Sequence, residues 1–335
     1  MRWDQQRVGL DDQRRLPGYD DVTVRHFDAP EAIDTRFYEV RAKSILNRVP
    51  PASRMPFRWT INPFRGCTHA CAFCFARPTH EYLDFNAGRD FEREIVVKVN
   101  APERLRAELA RKSWKREHVA LGTNTDPYQW VEGRYELMPE IWKAFRDARN
   151  PCSVLTKSPL LLRDLPLMRE LDAVTEFSAA LSIPTLDPAA WRATEPRSPN
   201  PRARMEAVAE LTRAGIRTGV MIAPLMPGIN DAPEQVEEVV RLASEAGASY
   251  IIGIPLHLRG SVREVFMGWL ATHRPDLVES YEELYRRGAY LPAAERQRIA
   301  NLVDRAQLDG GPAPGRMLDG ERPRRAPDEQ APRLF

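Results

Sequence analysis

Residues 62–80 read NPFRGCTHACAFCFARPTH and contain three of the four cysteines in this 335-residue chain. Cys67, Cys71 and Cys74 form a C-x3-C-x2-C pattern, and thiolates in such patterns bind zinc or iron. A structural zinc site is closed by four protein ligands, so three cysteines leave one position open. In a four-iron cluster, three thiolates leave one iron for an external ligand. The stretch therefore predicts a metal centre that can bind a small molecule.

In the flanking sequence, short apolar stretches alternate with amphipathic ones. The predicted strands are residues 57–64, 118–124, 152–158, 175–183, 216–225 and 249–256. The predicted helices are residues 101–114, 138–149, 159–171, 200–215, 232–247 and most of 262–288. Six strands that alternate with helices predict a parallel α/β sheet, which is either doubly wound or a partial barrel. Both folds bind ligands at the C-terminal ends of the strands.

Polar side chains follow several of those predicted strand ends. Cys67 follows the first strand, residues 124–126 the second, Lys157 the third, Ser182 the fourth and His257 the sixth. Because the C-terminal ends of parallel strands share one edge of a sheet, these residues are expected to lie close together. The sequence therefore predicts an active site at this edge.

Composition limits the cellular setting. Apolar residues make up 43% of the chain, yet no apolar run approaches the ~18 residues of a membrane span. The charged N-terminus has no apolar segment typical of a secretory signal, and the clustered cysteines do not form a disulfide framework. A cytoplasmic location is therefore predicted. The net charge of +2 neither demands nor excludes a nucleic-acid partner.

Three segments are predicted along the chain. Residues 1–55 are polar and interrupted by prolines, and they are interpreted as an N-terminal extension that wraps the surface. Residues 56–305 form the predicted core domain. Residues 306–335 are rich in glycine, proline and alternating charges, and are predicted to be a disordered tail because they bury too little apolar surface.

The cysteine pattern, placed after the first strand and with Phe73 before its last cysteine, resembles the radical S-adenosylmethionine (SAM) superfamily. Longer stretches, among them GTNTDPYQWVE, LTKSPLLLRD and EPRSPNPRARMEAVAELTRAGI, resemble its DNA repair photolyase-like branch, the relatives of spore photoproduct lyase. The resemblance covers about residues 44–302. It implies a partial (βα)6 TIM-type barrel and a [4Fe-4S] cluster on Cys67, Cys71 and Cys74. That cluster cleaves SAM to a 5′-deoxyadenosyl radical, which abstracts hydrogen from substrate.

The resemblance also implies where SAM is held. The second-strand loop would bind its amino group, Lys157 its carboxylate, and two serines on one side of the fourth strand its ribose or carboxylate. The residues so predicted to bind the cofactor are Phe73, Asn124, Thr125, Asp126, Lys157, Ser178 and Ser182. The polar residues of this set each have a structural alternative, namely an Asx turn before Pro127, a solvated lysine, or serines satisfied by backbone groups.

The hydrogen-donating residue is not identified by the sequence. Spore photoproduct lyase uses a cysteine near the second-strand loop, where this chain has residues 124–126, Asn-Thr-Asp. Cys152 begins the third predicted strand, at the opposite end from the ligands. Tyr82, Tyr128 and Tyr135 are alternative relays, and nothing in the sequence distinguishes them.

Three functions fit these observations. The first is a radical SAM enzyme that uses an external electron donor, with damaged nucleic acid, treated by a lyase-type repair, as the first substrate to test. The second is a radical SAM enzyme that modifies peptides or proteins. The third is a non-enzymatic module in which zinc binds the three cysteines with His69, His80 or Cys152. No basic stripe with interleaved aromatics argues strongly for nucleic acid.

Overall fold

A computed structural model describes residues 16–32, 34–51, 53 and 55–308. The strands are β1 (Val22–Arg25), β2 (Arg36–Val40), β3 (Asn47–Arg48), β4 (Trp59–Ile61), β5 (Phe64–Arg65), β6 (Glu94–Lys98), β7 (Val119–Leu121), β8 (Cys152–Thr156), β9 (Phe177–Ser182), β10 (Thr218–Leu225) and β11 (Tyr250–Pro255). The α-helices are α1 (Asp90–Arg93), α2 (Ala101–Leu109), α3 (Glu132–Tyr135), α4 (Leu137–Ala148), α5 (Leu165–Val174), α6 (Pro188–Thr194), α7 (Pro201–Arg213), α8 (Pro233–Glu245), α9 (Val262–His273), α10 (Val278–Leu284) and α11 (Ala293–Leu308). The 3₁₀ segments are Pro30–Ala32, Arg77–Leu83, Pro159–Asp164 and Pro275–Leu277.

The larger sheet has seven strands in the order β11-β10-β9-β8-β7-β4-β3. Its six strands from β4 to β11 are parallel, and each pairs with its neighbour along this βα series. The short β3 pairs antiparallel with β4 at one edge. Sequential parallel pairing is the topology of βα units, so the partial (βα)6 barrel predicted from the sequence is confirmed.

Helices cover the outside of this sheet through apolar stripes. In α4, Leu137, Ile141, Trp142 and Phe145 are buried at the three- and four-residue spacing of one helix face. The Trp142 ring packs edge-on against Phe177 of β9, with ring centroids 5.4 Å apart. This face joins helix and sheet in one apolar core, which leaves the strand ends free for polar groups.

The first predicted strand is wrong in one respect, because residues 57–64 form two strands in different sheets. β4 belongs to the barrel, whereas β5 pairs antiparallel with β6 in a four-stranded sheet of order β1-β2-β6-β5. The chain changes sheet at Asn62 and Pro63. Pro63 has no N–H for a ladder, and the Asn62 side chain accepts a hydrogen bond from the backbone N–H of Asn124, 3.0 Å away.

The smaller sheet contains part of the predicted N-terminal extension. β1 pairs antiparallel with β2, and β2 pairs parallel with β6 of the predicted core. Phe37 and Tyr38 of β2 are fully buried. The extension is therefore joined to the rest of the chain by a β-ladder as well as by the polypeptide, while the domain boundary near residue 55 stays a prediction.

Several predicted helix boundaries differ from those observed. The helix predicted over 101–114 ends at Leu109. The helix predicted over 159–171 is a 3₁₀ segment, Pro159–Asp164, followed by α5, with Pro166 in the first turn of α5. Residues 262–288 divide into two helices at Pro275. α11 extends to Leu308, so residues 306–308 of the predicted tail are helical, and residues 309–335 lie outside the described residues.

Within the described ranges, no helix is long and apolar enough to cross a membrane.

Candidate active site

A cavity of about 200 Å³ opens at the C-terminal ends of the parallel strands. Its wall includes all three clustered cysteines, together with Lys157 and Ser182. These groups come from elements that are far apart in the sequence and adjacent in the sheet. The cavity therefore lies where parallel βα folds bind their ligands.

The cysteine loop is held by backbone contacts and by one buried arginine. The N–H of Cys67 donates to the carbonyl of Phe91 at 2.9 Å. Gly66 has a φ of +77°, and a Cβ at this position would lie 2.8 Å from that same carbonyl oxygen. Arg77, which is 1% exposed, donates from Nε and Nη2 to the carbonyl of Cys71 at 3.0 and 2.8 Å. These contacts fix the direction of the loop.

Burial raises the pKa of the Cys67, Cys71 and Cys74 thiols above the usual value. A bound cation reverses this effect, because coordination favours the thiolate. In the described part of the chain, no three His, Cys, Asp or Glu side chains converge on a position for a single metal ion. A four-iron cluster presents a separate iron to each thiolate, so its ligands need not converge on one point. The shared cavity wall suits such a cluster.

The additional zinc ligands considered from the sequence lie in other environments. His80 Nε2 donates to the carbonyl of Glu94 at 2.8 Å. Cys152 is buried at the first residue of β8, at the opposite end of that strand from Thr156. His69 Nδ1 lies 3.4 Å from the Asp126 carboxylate. Of these three, only His69 lines the cavity.

The loop after β7 approaches β8 closely at Gly122, a position that requires glycine. Gly122 has a φ of +83°, and a Cβ there would lie 1.9 Å from the carbonyl oxygen of Leu155. Next in this loop, Thr125 donates its hydroxyl to the carbonyl of Gly66 at 2.6 Å. The second-strand loop and the cysteine loop are thus bonded to each other.

The Asp126 carboxylate accepts several hydrogen bonds from within the protein. Its carboxylate accepts from the Thr156 hydroxyl at 2.6 Å, the Lys157 N–H at 2.7 Å and the Tyr128 N–H at 2.9 Å. Thr125 and Asp126 line the cavity, whereas Asn124 does not. The Asn124 N–H instead donates to Asn62. The three predicted ligands in this loop are therefore placed differently.

Lys157 is the only lysine or arginine among the described residues of the cavity wall. Its Nζ donates to the Ser182 hydroxyl at 2.8 Å, forms an ion pair with Glu195, and lies 5.4 Å from the centroid of the Phe73 ring. Ser182 donates in turn to the carbonyl of Ala223 at 3.2 Å. Ser178, the other predicted serine, lies four residues earlier on β9 and is not in the cavity wall.

Glu195 and Arg204 were missed by the sequence reasoning. They lie at the end of α6 and in α7, and both are at most 1% exposed. Arg204 Nη2 donates to Glu195 Oε2 at 2.7 Å. Burial alone would raise the pKa of Glu195, but Arg204 and Lys157 lower it to about 2. Their only signal was the stretch EPRSPNPRAR, which contains both residues without indicating a contact.

The rim of the cavity carries exposed aromatic rings. Phe75 lines the cavity and is 61% exposed. His257, also in the wall, packs edge-on against Tyr290, with ring centroids 4.8 Å apart. Tyr290 is 52% exposed. The rim therefore offers planar apolar surfaces to a molecule that enters the cavity.

The tyrosines considered as hydrogen relays are not in this wall. Tyr128 is fully buried and donates to Asp164 at 2.8 Å, and the Tyr135 hydroxyl donates to Glu39 at 2.9 Å. Tyr82 is 77% exposed on the 3₁₀ segment after the cysteine loop. Among the described residues that line the cavity, none is a tyrosine and none is a cysteine outside the cluster motif.

Comparisons with known proteins identify the class of this one. The family model "Radical SAM superfamily" matches residues 61–243, which is more than half of the chain. The chain belongs to the radical SAM superfamily.

Its relatives include uncharacterized protein Rv2578c of Mycobacterium tuberculosis, which is 47% identical over 325 residues, covering 94% of this chain and 96% of that protein. Uncharacterized protein MJ0683 of Methanocaldococcus jannaschii is 27% identical over 195 residues, covering 58% of this chain and 69% of that protein. A structure of spore photoproduct lyase with bound AdoMet and dinucleoside spore photoproduct has a TM-score of 0.60 at 15% identity, over 81% of this chain and 78% of that one. At this identity the likeness shows a shared fold.

Membership implies a [4Fe-4S] cluster and SAM as the cofactors. The residues present fit both groups. Three thiols in one cavity wall suit an iron–sulfur cluster, and a lysine in the same wall suits a carboxylate ligand.

Proposed function

We propose that Cys67, Cys71 and Cys74 hold the [4Fe-4S] cluster and that the cavity beside them binds SAM. The observation that carries this proposal is the shared wall, in which three thiols and one lysine face the same space. When bound and reduced by an external electron donor, the two cofactors together supply a radical that abstracts hydrogen from a substrate. The protein's own part is to bind, orient and exclude water.

Lys157 is the proposed partner of the SAM carboxylate. An ammonium has three N–H donors, and the bonds to Ser182 and Glu195 leave one for a ligand. The Lys157 side chain is only 13% exposed, so a carboxylate that meets it is shielded from water. The hydroxyl of Ser182 already donates to Ala223, so we assign Ser182 to holding the lysine and not to donating to SAM.

The second-strand loop is the proposed site for the amino group of SAM. Thr125 and Asp126 reach the cavity wall, and a carboxylate has about four acceptor positions. Three of these accept hydrogen bonds in Asp126, and His69 Nδ1 lies 3.4 Å from the same carboxylate. Asn124 and Ser178 do not line the cavity, so their positions do not support the predicted role in SAM binding. Phe73 is assigned to packing against Lys157.

Part of the remaining wall is apolar. Leu155 of β8, Met221 of β10 and Ile254 of β11 line the cavity. An apolar wall excludes water from the space in which a radical reacts and so prevents side reactions.

The first substrate we propose to test is damaged nucleic acid. Phe75 and the His257–Tyr290 pair at the rim would stack on exposed bases, since base–aromatic stacking tolerates any sequence. Spore photoproduct lyase, which shares the fold, is a protein whose structure contains a dinucleoside photoproduct. Modification of a peptide is the second candidate, because exposed rings also bind peptide side chains.

The substrate classes are separated by binding measurements. A single-stranded oligonucleotide with a dinucleoside lesion is expected to bind with an affinity that falls as salt rises. The variants Phe75→Ala and Tyr290→Ala should each weaken binding about 5- to 100-fold, in line with stacking energies of ~1–3 kcal/mol per base. Val174→Ser, which changes an exposed apolar residue at the end of α5, is the matched control. Unchanged affinity in both rim variants would favour the peptide alternative.

The cofactor proposal is tested on protein purified without oxygen. After reconstitution with iron and sulfide, the protein should show iron–sulfur absorption, and addition of a reductant with SAM should produce 5′-deoxyadenosine. Absence of 5′-deoxyadenosine while the cluster is intact would refute the proposal. One zinc per chain with no sulfide would support the binding module instead.

A further inference from the structure

Lys157 is fixed at both ends of its side chain. Its backbone N–H donates to Asp126 Oδ2 at 2.7 Å, and its Nζ contacts both the Ser182 hydroxyl, at 2.8 Å, and the Glu195 carboxylate. The Phe73 ring lies beside the ammonium. A lysine on the surface samples many rotamers, whereas this one has a single set of partners before any ligand binds.

Glu195 is itself held by several hydrogen bonds. Its N–H donates to the carbonyl of Trp191 at 2.8 Å, and its Oε2 accepts from Arg204 at 2.7 Å and from the Ser198 hydroxyl at 3.2 Å. Its Oε1 is thereby left to Lys157. The carboxylate thus uses one oxygen for Arg204 and the other for the lysine.

Arg204 is also held by several hydrogen bonds. Its guanidinium donates from Nη1 to the carbonyl of Ser182 and from Nε to the carbonyl of Pro199, both at 2.9 Å. It is fully buried. Arg204 therefore joins α7 to the end of β9 and holds Glu195 at a set distance from the strand that carries Ser182.

We propose that Glu195 is a positioning residue for SAM, which acts by holding the Lys157 ammonium at the cavity wall with one N–H directed to the ligand carboxylate. The inference rests on the proposed function, because it assumes that SAM binds in this cavity. Two cations flank one carboxylate in the group of Lys157, Glu195 and Arg204. One positive charge is therefore left for an anionic ligand.

The alternative is that Glu195 only stabilises the fold. A buried ion pair that serves stability alone gains little over apolar side chains of similar volume. Here the network reaches the wall of a cavity. Glu195 accepts a hydrogen bond from the Lys157 ammonium and leaves one of its three N–H groups for a ligand. This arrangement pre-organises Lys157, so that binding does not have to order it.

Glu195→Gln tests the proposal, because the amide keeps the shape and removes the charge. We expect SAM to bind the reconstituted variant about 10- to 100-fold more weakly, as for loss of a charged hydrogen bond. Iron content and 5′-deoxyadenosine formation at saturating SAM should stay within about 3-fold of the wild type. The dissociation constant is read from the SAM-dependent change in the electron paramagnetic resonance spectrum of the reduced cluster. Equilibrium dialysis with labelled SAM gives a second value.

A double-mutant cycle separates positioning from a structural role. In a Lys157→Met background, Glu195→Gln should change the SAM dissociation constant by less than about 3-fold, because its effect passes through the lysine. Equal effects in both backgrounds, or an unchanged constant in the single variant, would overturn the proposal. If Glu195→Gln fails to fold, Glu195→Asp, which keeps the charge and is one methylene shorter, is measured by the same criteria. Failure of the wild type to bind SAM would instead refute the proposed function.

Discussion

Glu94 and Glu195 are both buried glutamates that bind arginine, but they belong to different parts of the molecule. Glu94 begins β6 of the smaller sheet, and its carboxylate accepts from Arg36 Nε at 2.8 Å and from the Tyr38 hydroxyl at 2.7 Å. Its carbonyl accepts from His80. Glu195 lies beside the cavity of the larger sheet, where it binds Arg204 and Lys157.

The two networks differ in whether they present a charged group to the cavity. The Glu94 network consists of Glu94 and three residues bonded to it, Arg36, Tyr38 and His80. None of these four residues lines the cysteine cavity. The Lys157 network, Lys157, Ser182, Glu195 and Arg204, presents a cation to that cavity. Buried charge alone therefore does not mark a functional site, and the role proposed for the Lys157 network rests on the position of Lys157 in the cavity wall.

Substitution of the three motif cysteines should give the largest difference between a variant and its control. Changing Cys67, Cys71 or Cys74 to Ala is expected to remove nearly all bound iron and all 5′-deoxyadenosine formation, because the cluster loses a ligand. Cys152→Ala is the matched control and should keep both, since this residue packs in the core at the other end of β8. The measurements are iron and sulfide per chain and product formation. Iron loss in the Cys152 variant would contradict the assignment.

Lys157→Met should give the next largest effect. Removal of the ammonium takes away the proposed partner of the carboxylate, so SAM is expected to bind about 100-fold more weakly, with iron content unchanged. Arg36→Met removes a cation from the Glu94 network and should leave the SAM dissociation constant within about 2-fold. Equal loss of SAM affinity in both variants would show that the two networks do not differ as proposed.

The pH dependence of stability should reveal the Glu94 network. His80 Nε2 donates to a carbonyl, and its Nδ1 has no hydrogen-bond partner among the described residues. Burial lowers the pKa of His80 to about 4. Since the unfolded pKa is about 6.5, the unfolded chain binds the proton first as pH falls from 6.5 to 4, and stability is lost over this range. The loss should be at most about 3 kcal/mol from this group.

Urea unfolding at pH 7 and pH 4.5 measures this effect. His80→Gln should be less stable than the wild type at pH 7 but should lose less free energy of unfolding on acidification. The exposed His273→Gln is the control and should follow the wild-type pH profile. A His80 variant with the full wild-type acid dependence would contradict the role given to its burial.

Glu94→Gln should give the smallest effect. Arg36 is 39% exposed in its side chain, and solvent screens the ion pair, so the cost in the free energy of unfolding is expected to be about 1–2 kcal/mol. SAM affinity should be unchanged. Paired with Glu195→Gln, this variant compares two conservative charge removals, one of which should affect stability and the other ligand binding. A shift in SAM affinity would place Glu94 in the site.

The sequence by itself determined the succession of six strands that alternate with helices along the chain, and the position of the cysteine motif. Both follow from local patterns, because apolar periodicity defines each βα unit and parallel strands bring their C-terminal ends to one edge. Lys157 and Asp126 were therefore predicted at the site edge. The sequence did not determine which of their neighbours also reach the cavity. Asn124 lies in the same loop as Asp126, and Ser178 on the same strand as Ser182, yet both lie outside the cavity wall.

Only the tertiary structure decided the partners of Lys157 and the division of the first strand. Glu195 lies 38 residues beyond Lys157 in the chain, at the end of a helix, and Arg204 comes from the next helix. Such contacts depend on how helices pack on the sheet and leave no periodic signal in the sequence. The break at Pro63 likewise depends on β6, a distant strand that pairs with β5 and draws the chain into the second sheet.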